Sequence, residues 1–132
     1  MRFWGDENIS GKIIRILDLY DSSNEYRQIS DEFDRGTPDE VWIPGIARQF
    51  PDSIILSGDR RILKDRAQRT ILDGSGLSFI YPDKTLAGQT FEEQIWRYLK
   101  VWPRVLAEVV PAQARQRPGI WEIPFNANKL IK

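Results

Sequence analysis

The chain has 132 residues, with 19 basic and 19 acidic side chains, and it contains neither cysteine nor histidine. This length fits one domain whose core needs no disulfide or structural zinc. The missing residue types exclude thiol nucleophiles, Ser-His-Asp triads, zinc fingers and imidazole bases. Any chemistry must therefore use carboxylates, hydroxyls, Lys or Arg, or a hard metal ion bound through oxygen.

The zero net charge conceals a division within the chain. Residues 1–59 have 12 acids and 6 bases, hence −6, whereas residues 60–132 have 7 acids and 13 bases, hence +6. Such asymmetry fits an acidic site beside a basic one, or two solvated faces that differ in charge. The sequence shows no apolar N-terminal leader and no apolar stretch of membrane length, which predicts a cytoplasmic protein without a membrane partner.

The N-terminal part predicts two strands and two helices. Residues 2–5 read as a short strand, and apolar residues at helical spacing predict a helix over residues 9–20, capped by Asn8 or Ser10. A second strand follows at residues 25–30. Thr37-Pro38-Asp39-Glu40 has the pattern of a capping box with proline at the first helical position, so a helix should begin there and be kinked or interrupted at Pro44-Gly45.

The C-terminal part continues the alternation. The pattern predicts a buried strand at residues 53–57, a helix at 60–72 closed by Gly74-Ser75-Gly76, a strand at 77–81 and a helix at 91–109 kinked at Pro103. Alternating strands and helices predict a three-layer α/β/α fold with a mainly parallel four-stranded sheet in the order 2-1-3-4. We expect residues 1–112 to form this domain. Residues 113–132 should form a C-terminal extension, either a final strand near 120–125 or a partner-binding tail.

Two aspartates follow neighbouring strands of the predicted sheet. Asp6 ends the first strand and Asp59 follows the third, at the point where the strand order reverses and open parallel sheets bind ligands. Asp39 begins a helix on the same edge. Three carboxylates without histidine favour Mg²⁺ or Mn²⁺, because these ions prefer oxygen ligands.

Most of these acids also have a structural interpretation. Asp59 could cap the helix from residue 60, Asp39 is favoured by the helix dipole, and Glu40 is explained by the capping box. Asp6 has no such explanation and is the strongest functional candidate. Arg60, Arg61 and Lys64 border the predicted site and could contact phosphates, or they form a solvated helix face.

Three segments together resemble the acidic motifs of compact PIN-like domains, which are related to the VapC-type toxin ribonucleases of toxin–antitoxin pairs. The segments are Asp6-Glu7-Asn8, residues 37–43 and residues 54–62, and the likeness covers roughly residues 1–110. It implies a PIN-like fold and a Mg²⁺- or Mn²⁺-dependent endoribonuclease of the type II toxin class. The resemblance carries Asp6, Asp39 and Asp59 over as the catalytic, metal-binding acids.

The chain departs from the family pattern at Arg61, where many members have a further acid. Glu7 or Glu40 could supply the missing ligand, or the site could hold a single metal. The nucleic-acid contacts are assigned to Arg60, Arg61, Lys64 and Asn8.

A toxin of this type implies two partners, an RNA substrate and a cognate antitoxin. Trp96, Trp102, Trp121 and residues 120–125 are candidates for the antitoxin contact or for a homodimer face, although burial is the commoner fate of Trp96 and Trp102. A non-catalytic PIN-like binding module is the main alternative. A phosphatase-like enzyme is disfavoured, because Asp6 is not followed by a second acid two residues later.

Overall fold

The computed structural model describes residues 1–132 and contains a five-stranded parallel sheet between two layers of helices. The strands are β1 (Arg2–Gly5), β2 (Glu25–Gln28), β3 (Ser53–Leu56), β4 (Ser78–Pro82) and β5 (Ile120–Ile123). Their order is β2-β1-β3-β4-β5, and every neighbouring pair is parallel. The predicted α/β class and the order 2-1-3-4 are confirmed.

The predicted count of four strands is corrected to five. Residues 120–123 pair with β4, and their alternate residues Trp121 and Ile123 are buried. Burial of these two side chains and pairing of the β4 edge explain why this segment joins the sheet. The outer edge of β5 is itself partly covered by an antiparallel bridge between Glu122 and Ile131.

Seven α-helices accompany the strands. They are α1 (Gly11–Tyr20), α2 (Asp39–Gln49), α3 (Arg61–Lys64), α4 (Arg66–Ser75), α5 (Lys84–Ala87), α6 (Phe91–Arg104) and α7 (Val110–Ala114). A 3₁₀ turn covers Ile29–Asp31, and a π-helical segment, Val105–Val109, joins α6 to α7. No helix is both long and apolar enough to cross a membrane.

Successive residues of the central strands enter two separate cores. Phe3 and Ile54 pack on the side of α1 and α6, whereas Trp4 and Ile55 pack on the side of α2 and α4. Both faces of the sheet are therefore covered, which is why these strands are continuously apolar. The arrangement confirms the predicted three-layer architecture.

The helix predicted to begin at Thr37 starts slightly later and is not interrupted at Pro44. Thr37 donates its hydroxyl to the Asp34 carbonyl, so the predicted capping box is absent and Pro38 is the N-cap. The helix also continues through Pro44 to Gln49. Pro44 removes one N–H near the exposed start of the helix, and buried Ile43 and Ile46 hold the remaining turns against the sheet.

Other helix boundaries differ from the sequence-based expectation. Ser10 caps α1, as one of the two predicted caps. The helix predicted over residues 60–72 is divided at Asp65, whose carboxylate accepts a hydrogen bond from the Gln68 N–H and begins α4. Gly76 ends α4 in the left-handed conformation that its position predicts. The helix predicted over residues 91–109 runs through Pro103 and continues into the π segment.

The tryptophans expected to be buried separate into two groups. Trp102 is fully buried, as predicted, whereas Trp96 is 55% exposed, so its predicted burial is wrong. The face of α6 that carries Trp96 also carries Arg97 and Lys100, whose cations lie over its ring. Those long charged side chains stay in water, and the ring remains with them at the surface.

Candidate active site

Asp6 lies where β1 ends, directly beside the end of β3. Its backbone N–H donates to the Leu56 carbonyl at 3.0 Å, which extends the β1–β3 ladder by one residue. The side chain is only 7% exposed, and Oδ1 accepts a hydrogen bond from the Asn8 N–H at 2.8 Å. The other oxygen, Oδ2, is buried and has no hydrogen-bond partner. A buried carboxylate oxygen without a partner is costly unless a cation or a proton neutralises it.

The pKa of Asp6 is raised to about 6 from an ordinary value of 3.8. Burial is the main cause, because it disfavours the charged form, and Asp59 and Asp39 add repulsion. The Ser57 side chain opposes the shift most, although it makes no hydrogen bond of regular geometry to Oδ2, and the Asn8 N–H opposes it next. Burial and repulsion from two acids are the environment expected of a carboxylate that binds a cation.

Asp39, the first residue of α2, is held by a neighbour on its own helix. Trp42 is buried and donates its indole N–H to Asp39 Oδ1 at 2.8 Å. The pKa of Asp39 is raised, mainly by burial, while Trp42 opposes the shift and Glu40 and Glu7 add repulsion. This hydrogen bond could be anticipated from the sequence, because residues 39 and 42 are three positions apart and therefore lie on one face of the helix.

A small cleft joins Asp6 and Asp39. It has a volume of about 80 Å³, and four carboxylates line it: Asp6, Glu7, Asp34 and Asp39. Glu7 is anchored across the cleft by the Gly36 N–H at 2.7 Å. Glu40 does not line the cleft and is exposed on α2. Asp34 was missed by sequence reasoning, because it lies in a polar loop without a periodic pattern.

Asp59 is engaged by Arg61. Its Oδ1 accepts from the Arg61 backbone N–H at 3.0 Å, and its Oδ2 accepts from Arg61 Nε at 2.7 Å. Asp59 does not line the cleft that Asp6 and Asp39 share. It is nevertheless near enough to raise the pKa of Asp6.

The loop after β1 is packed tightly against the segment that carries Asp59. A Cβ atom at Gly58 would lie 1.7 Å from the Asn8 carbonyl oxygen, so only glycine permits this approach. The Asn8 side-chain oxygen accepts a hydrogen bond from Arg61 Nη2 at 2.6 Å. The two acidic segments are therefore connected through backbone packing and through Arg61.

Residues 1–84, more than half of the chain, match the family model described as "PIN like domain". The chain belongs to the PIN-like domain family. This match confirms the resemblance at the level of the domain, and it supports a nuclease-type module, because PIN-like domains are generally nucleases. No curated protein and no solved structure gives a significant match.

The metal ion implied by the PIN-like family fits the donors at Asp6 better than those at Asp59. A cation would neutralise the buried Asp6 Oδ2, which has no hydrogen-bond partner. Asp39 and Glu7 line the same cleft and could bind the same ion. No group of three or more acids is already arranged to hold a metal ion. Asp59 already accepts two hydrogen bonds from Arg61, so a cation there would compete with the guanidinium.

The residues assigned to nucleic acid divide into two kinds. Asn8 and Arg61 contact each other, and Arg61 is also paired with Asp59. Arg60 and Lys64 are exposed and take part in none of the five ion pairs of the PIN-like chain. Arg60 and Lys64 therefore carry unpaired charges, whereas Arg61 shares its charge with Asp59.

A larger polar cleft adjoins the same edge of the PIN-like sheet. It has a volume of about 360 Å³, and Asp6 and Glu7 line it together with Gln28, Ser30 and Arg35. Sequence reasoning missed these last three residues. The position of Gln28 at the end of β2 is the signal that could have identified it, since neighbouring parallel strands end at one edge.

Proposed function

We propose that this PIN-like domain is a Mg²⁺- or Mn²⁺-dependent endoribonuclease, the toxin component of a type II toxin–antitoxin pair. The observation that carries the nuclease proposal is the buried, unpartnered Oδ2 of Asp6 at the point where the strand order reverses. The choice of RNA and the toxin role rest on the resemblance of the three acidic segments to VapC-type ribonucleases.

The residues of the chain have distinct roles in this proposal. A bound divalent cation lowers the pKa of a water molecule and neutralises charge on a phosphate oxygen. Asp6 would hold the cation, and Asp39 and Glu7, which line the same cleft, would contribute further carboxylates. Asp39 or Asp59 orients the attacking water, and Arg60 and Arg61 neutralise the substrate backbone.

The test is cleavage of a fluorescent single-stranded RNA with Mn²⁺, with Mg²⁺ and with EDTA. We expect cleavage by the wild-type chain in either metal and none in EDTA. Asp6→Asn should abolish cleavage. Asp52→Asn is the matched control, because Asp52 is exposed and precedes β3 at the opposite edge of the sheet, and it should cleave as wild type does. Full activity of Asp6→Asn would overturn the assignment.

The pairing of Arg61 with Asp59 favours a second candidate, a non-catalytic PIN-like module that binds nucleic acid or protein. In that case Arg61 permanently replaces a metal ion at Asp59. Thermal unfolding with increasing Mn²⁺ separates the two candidates, because an ion that binds the native state raises the melting temperature by mass action. The nuclease proposal predicts a rise that Asp6→Asn abolishes, whereas the binding module predicts no rise.

The toxin proposal has its own test in cells. A ribonuclease acting on cellular RNA would work in the cytoplasm, and its host would need an antitoxin. Induced expression of the wild-type chain should arrest bacterial growth, and expression of Asp6→Asn should not. Growth that is equally fast with both chains would overturn the toxin role while leaving cleavage in vitro to be judged separately.

A further inference from the structure

A basic pocket adjoins Asp59. It has a volume of about 210 Å³, and four cationic side chains line it with Asp59: Arg60, Arg61, Lys64 and Lys84. The pocket is smaller than the roughly 300–1,000 Å³ of sites for drug-sized molecules. Its size and charge favour one small anionic group.

The cations reach this pocket from two neighbouring strands. Arg60, Arg61 and Lys64 follow β3 in the turn and in α3, whereas Lys84 begins α5 after β4. Leu56 of β3 pairs with Ile80 of β4, so the chain leaves both strands at the same edge. The convergence is a consequence of the sheet register and not of one helix face.

Three of the four cations have no acidic partner. Arg61 is paired with Asp59, but Arg60, Lys64 and Lys84 take part in none of the five ion pairs. The acid beside Lys84 is Asp83, whose two oxygens accept from the backbone N–H groups of Leu86 and Phe125.

Asp65, the acid beside Lys64, is engaged in the same way as the N-cap of α4. The pocket thus gathers three cations that form no ion pair, beside the pair of Arg61 and Asp59. An anion placed there would relieve the mutual repulsion of the three cations.

We propose that this pocket binds a backbone phosphate of a nucleic-acid strand, next to the phosphate that would contact the cation at Asp6. This inference rests on the proposed nuclease function and adds Lys84 to its binding surface. Lysine and arginine contacts to phosphate position a strand without reading its sequence. Lys84 and Lys64 are therefore positioning residues for the substrate.

The test is the fluorescence anisotropy of a labelled single-stranded oligonucleotide in EDTA over a series of NaCl concentrations. Lys64→Gln and Lys84→Gln should each lower the slope of log affinity against log salt by about 0.7. At a salt concentration of about 0.1 M, one decade below 1 M, that change in slope corresponds to about fivefold weaker binding of the oligonucleotide than by the wild type. Lys129→Gln is the matched control, because Lys129 is exposed and lies outside the pocket, and it should behave as wild type.

Each other outcome has a defined meaning. Slopes of Lys64→Gln and Lys84→Gln equal to that of Lys129→Gln overturn the pocket. A second result would also overturn the proposal. If inorganic phosphate raises the melting temperature of the wild type while the two lysine variants bind the oligonucleotide as the wild type does, the ligand of the pocket is a small free phosphate. Binding is measured in EDTA and therefore does not depend on metal-dependent cleavage. A chain that binds the oligonucleotide as expected but does not cleave RNA with Mn²⁺ would contradict the nuclease proposal and support the phosphate-binding pocket.

Discussion

Arg61 occupies both carboxylate oxygens of Asp59, with its backbone N–H on Oδ1 at 3.0 Å and its Nε on Oδ2 at 2.7 Å. The Arg61 side chain is 71% exposed, whereas that of Asp59 is 28% exposed. The guanidinium is thus reachable from solvent although it holds a partly buried acid. A divalent cation bound at Asp59 would compete with this guanidinium for Oδ2.

Arg61→Gln should therefore increase the response of the protein to Mn²⁺. Removing the guanidinium frees Asp59 Oδ2, and we expect a larger Mn²⁺-induced rise in melting temperature than in wild type. Without metal the free energy of unfolding should change by less than about 1 kcal/mol, since exposed ion pairs contribute little. Arg66→Gln, at an exposed position outside the site, should match wild type. An unchanged or smaller Mn²⁺ response in Arg61→Gln would show that Arg61 does not compete with the metal.

The raised pKa of Asp6 predicts a pH-dependent stability. With a folded pKa of about 6 and an ordinary value of 3.8, the native state binds more protons than the unfolded state between about pH 4 and pH 6. The stabilising proton is fully present below about pH 4 and is lost as the pH rises through 6. In EDTA at pH 7, Asp6→Asn should raise the free energy of unfolding by up to about 3 kcal/mol, and the gain should shrink toward pH 4.

Urea denaturation at pH 7 and at pH 4 measures this effect, with Asp52→Asn as the control for removing an exposed charge. Saturating Mn²⁺ should reverse the order at pH 7, because only the wild type gains binding energy. Equal stability of wild type and Asp6→Asn at pH 7 would contradict an ionised, poorly solvated Asp6.

The sheet was predictable because its information is local and periodic. The apolar run at β3 and the alternation of strands and helices identify the order around β1, which places Asp6 at the reversal point. The fifth strand was foreseen only as one of two alternatives, because residues 120–123 follow a proline and a glycine and lie beyond the alternation of strands and helices. Its pairing with β4 depends on tertiary packing that no local pattern encodes.

The sequence predicted which acids lie at the carboxyl edge of the sheet, but not which groups their side chains contact. Strand ends place Asp6 and Asp59 on one edge, yet whether Asp59 faces the cleft or Arg61 depends on side-chain geometry across three residues. Asp34 and Lys84 join the clefts through a loop and a short helix. Neither element has the periodicity that identifies longer segments.

Gly58→Ala should destabilise the protein and loosen the site. The new methyl group would collide with the backbone carbonyl of Asn8, which cannot rotate away as a side chain could. We expect a loss of about 1–3 kcal/mol or more in the free energy of unfolding, the usual effect of overpacking. Gly74→Ala is the control, because a Cβ there meets nothing within 4 Å and lies within α4. That variant should be as stable as wild type or more stable by about 0.5–1 kcal/mol.

Tyr26 connects β2 to α6 through a buried hydrogen-bond chain. Its hydroxyl donates to Asp21 Oδ2 at 2.6 Å and accepts from the Trp102 indole N–H at 2.7 Å. Tyr26→Phe leaves the Trp102 N–H buried without a partner, so we expect a loss of about 1–3 kcal/mol in the free energy of unfolding. Tyr20→Phe, at a half-exposed position, should have no such effect. Urea denaturation followed by tryptophan fluorescence measures both variants, and equal stability of the two would mean that the chain from Asp21 to Trp102 contributes nothing to the fold.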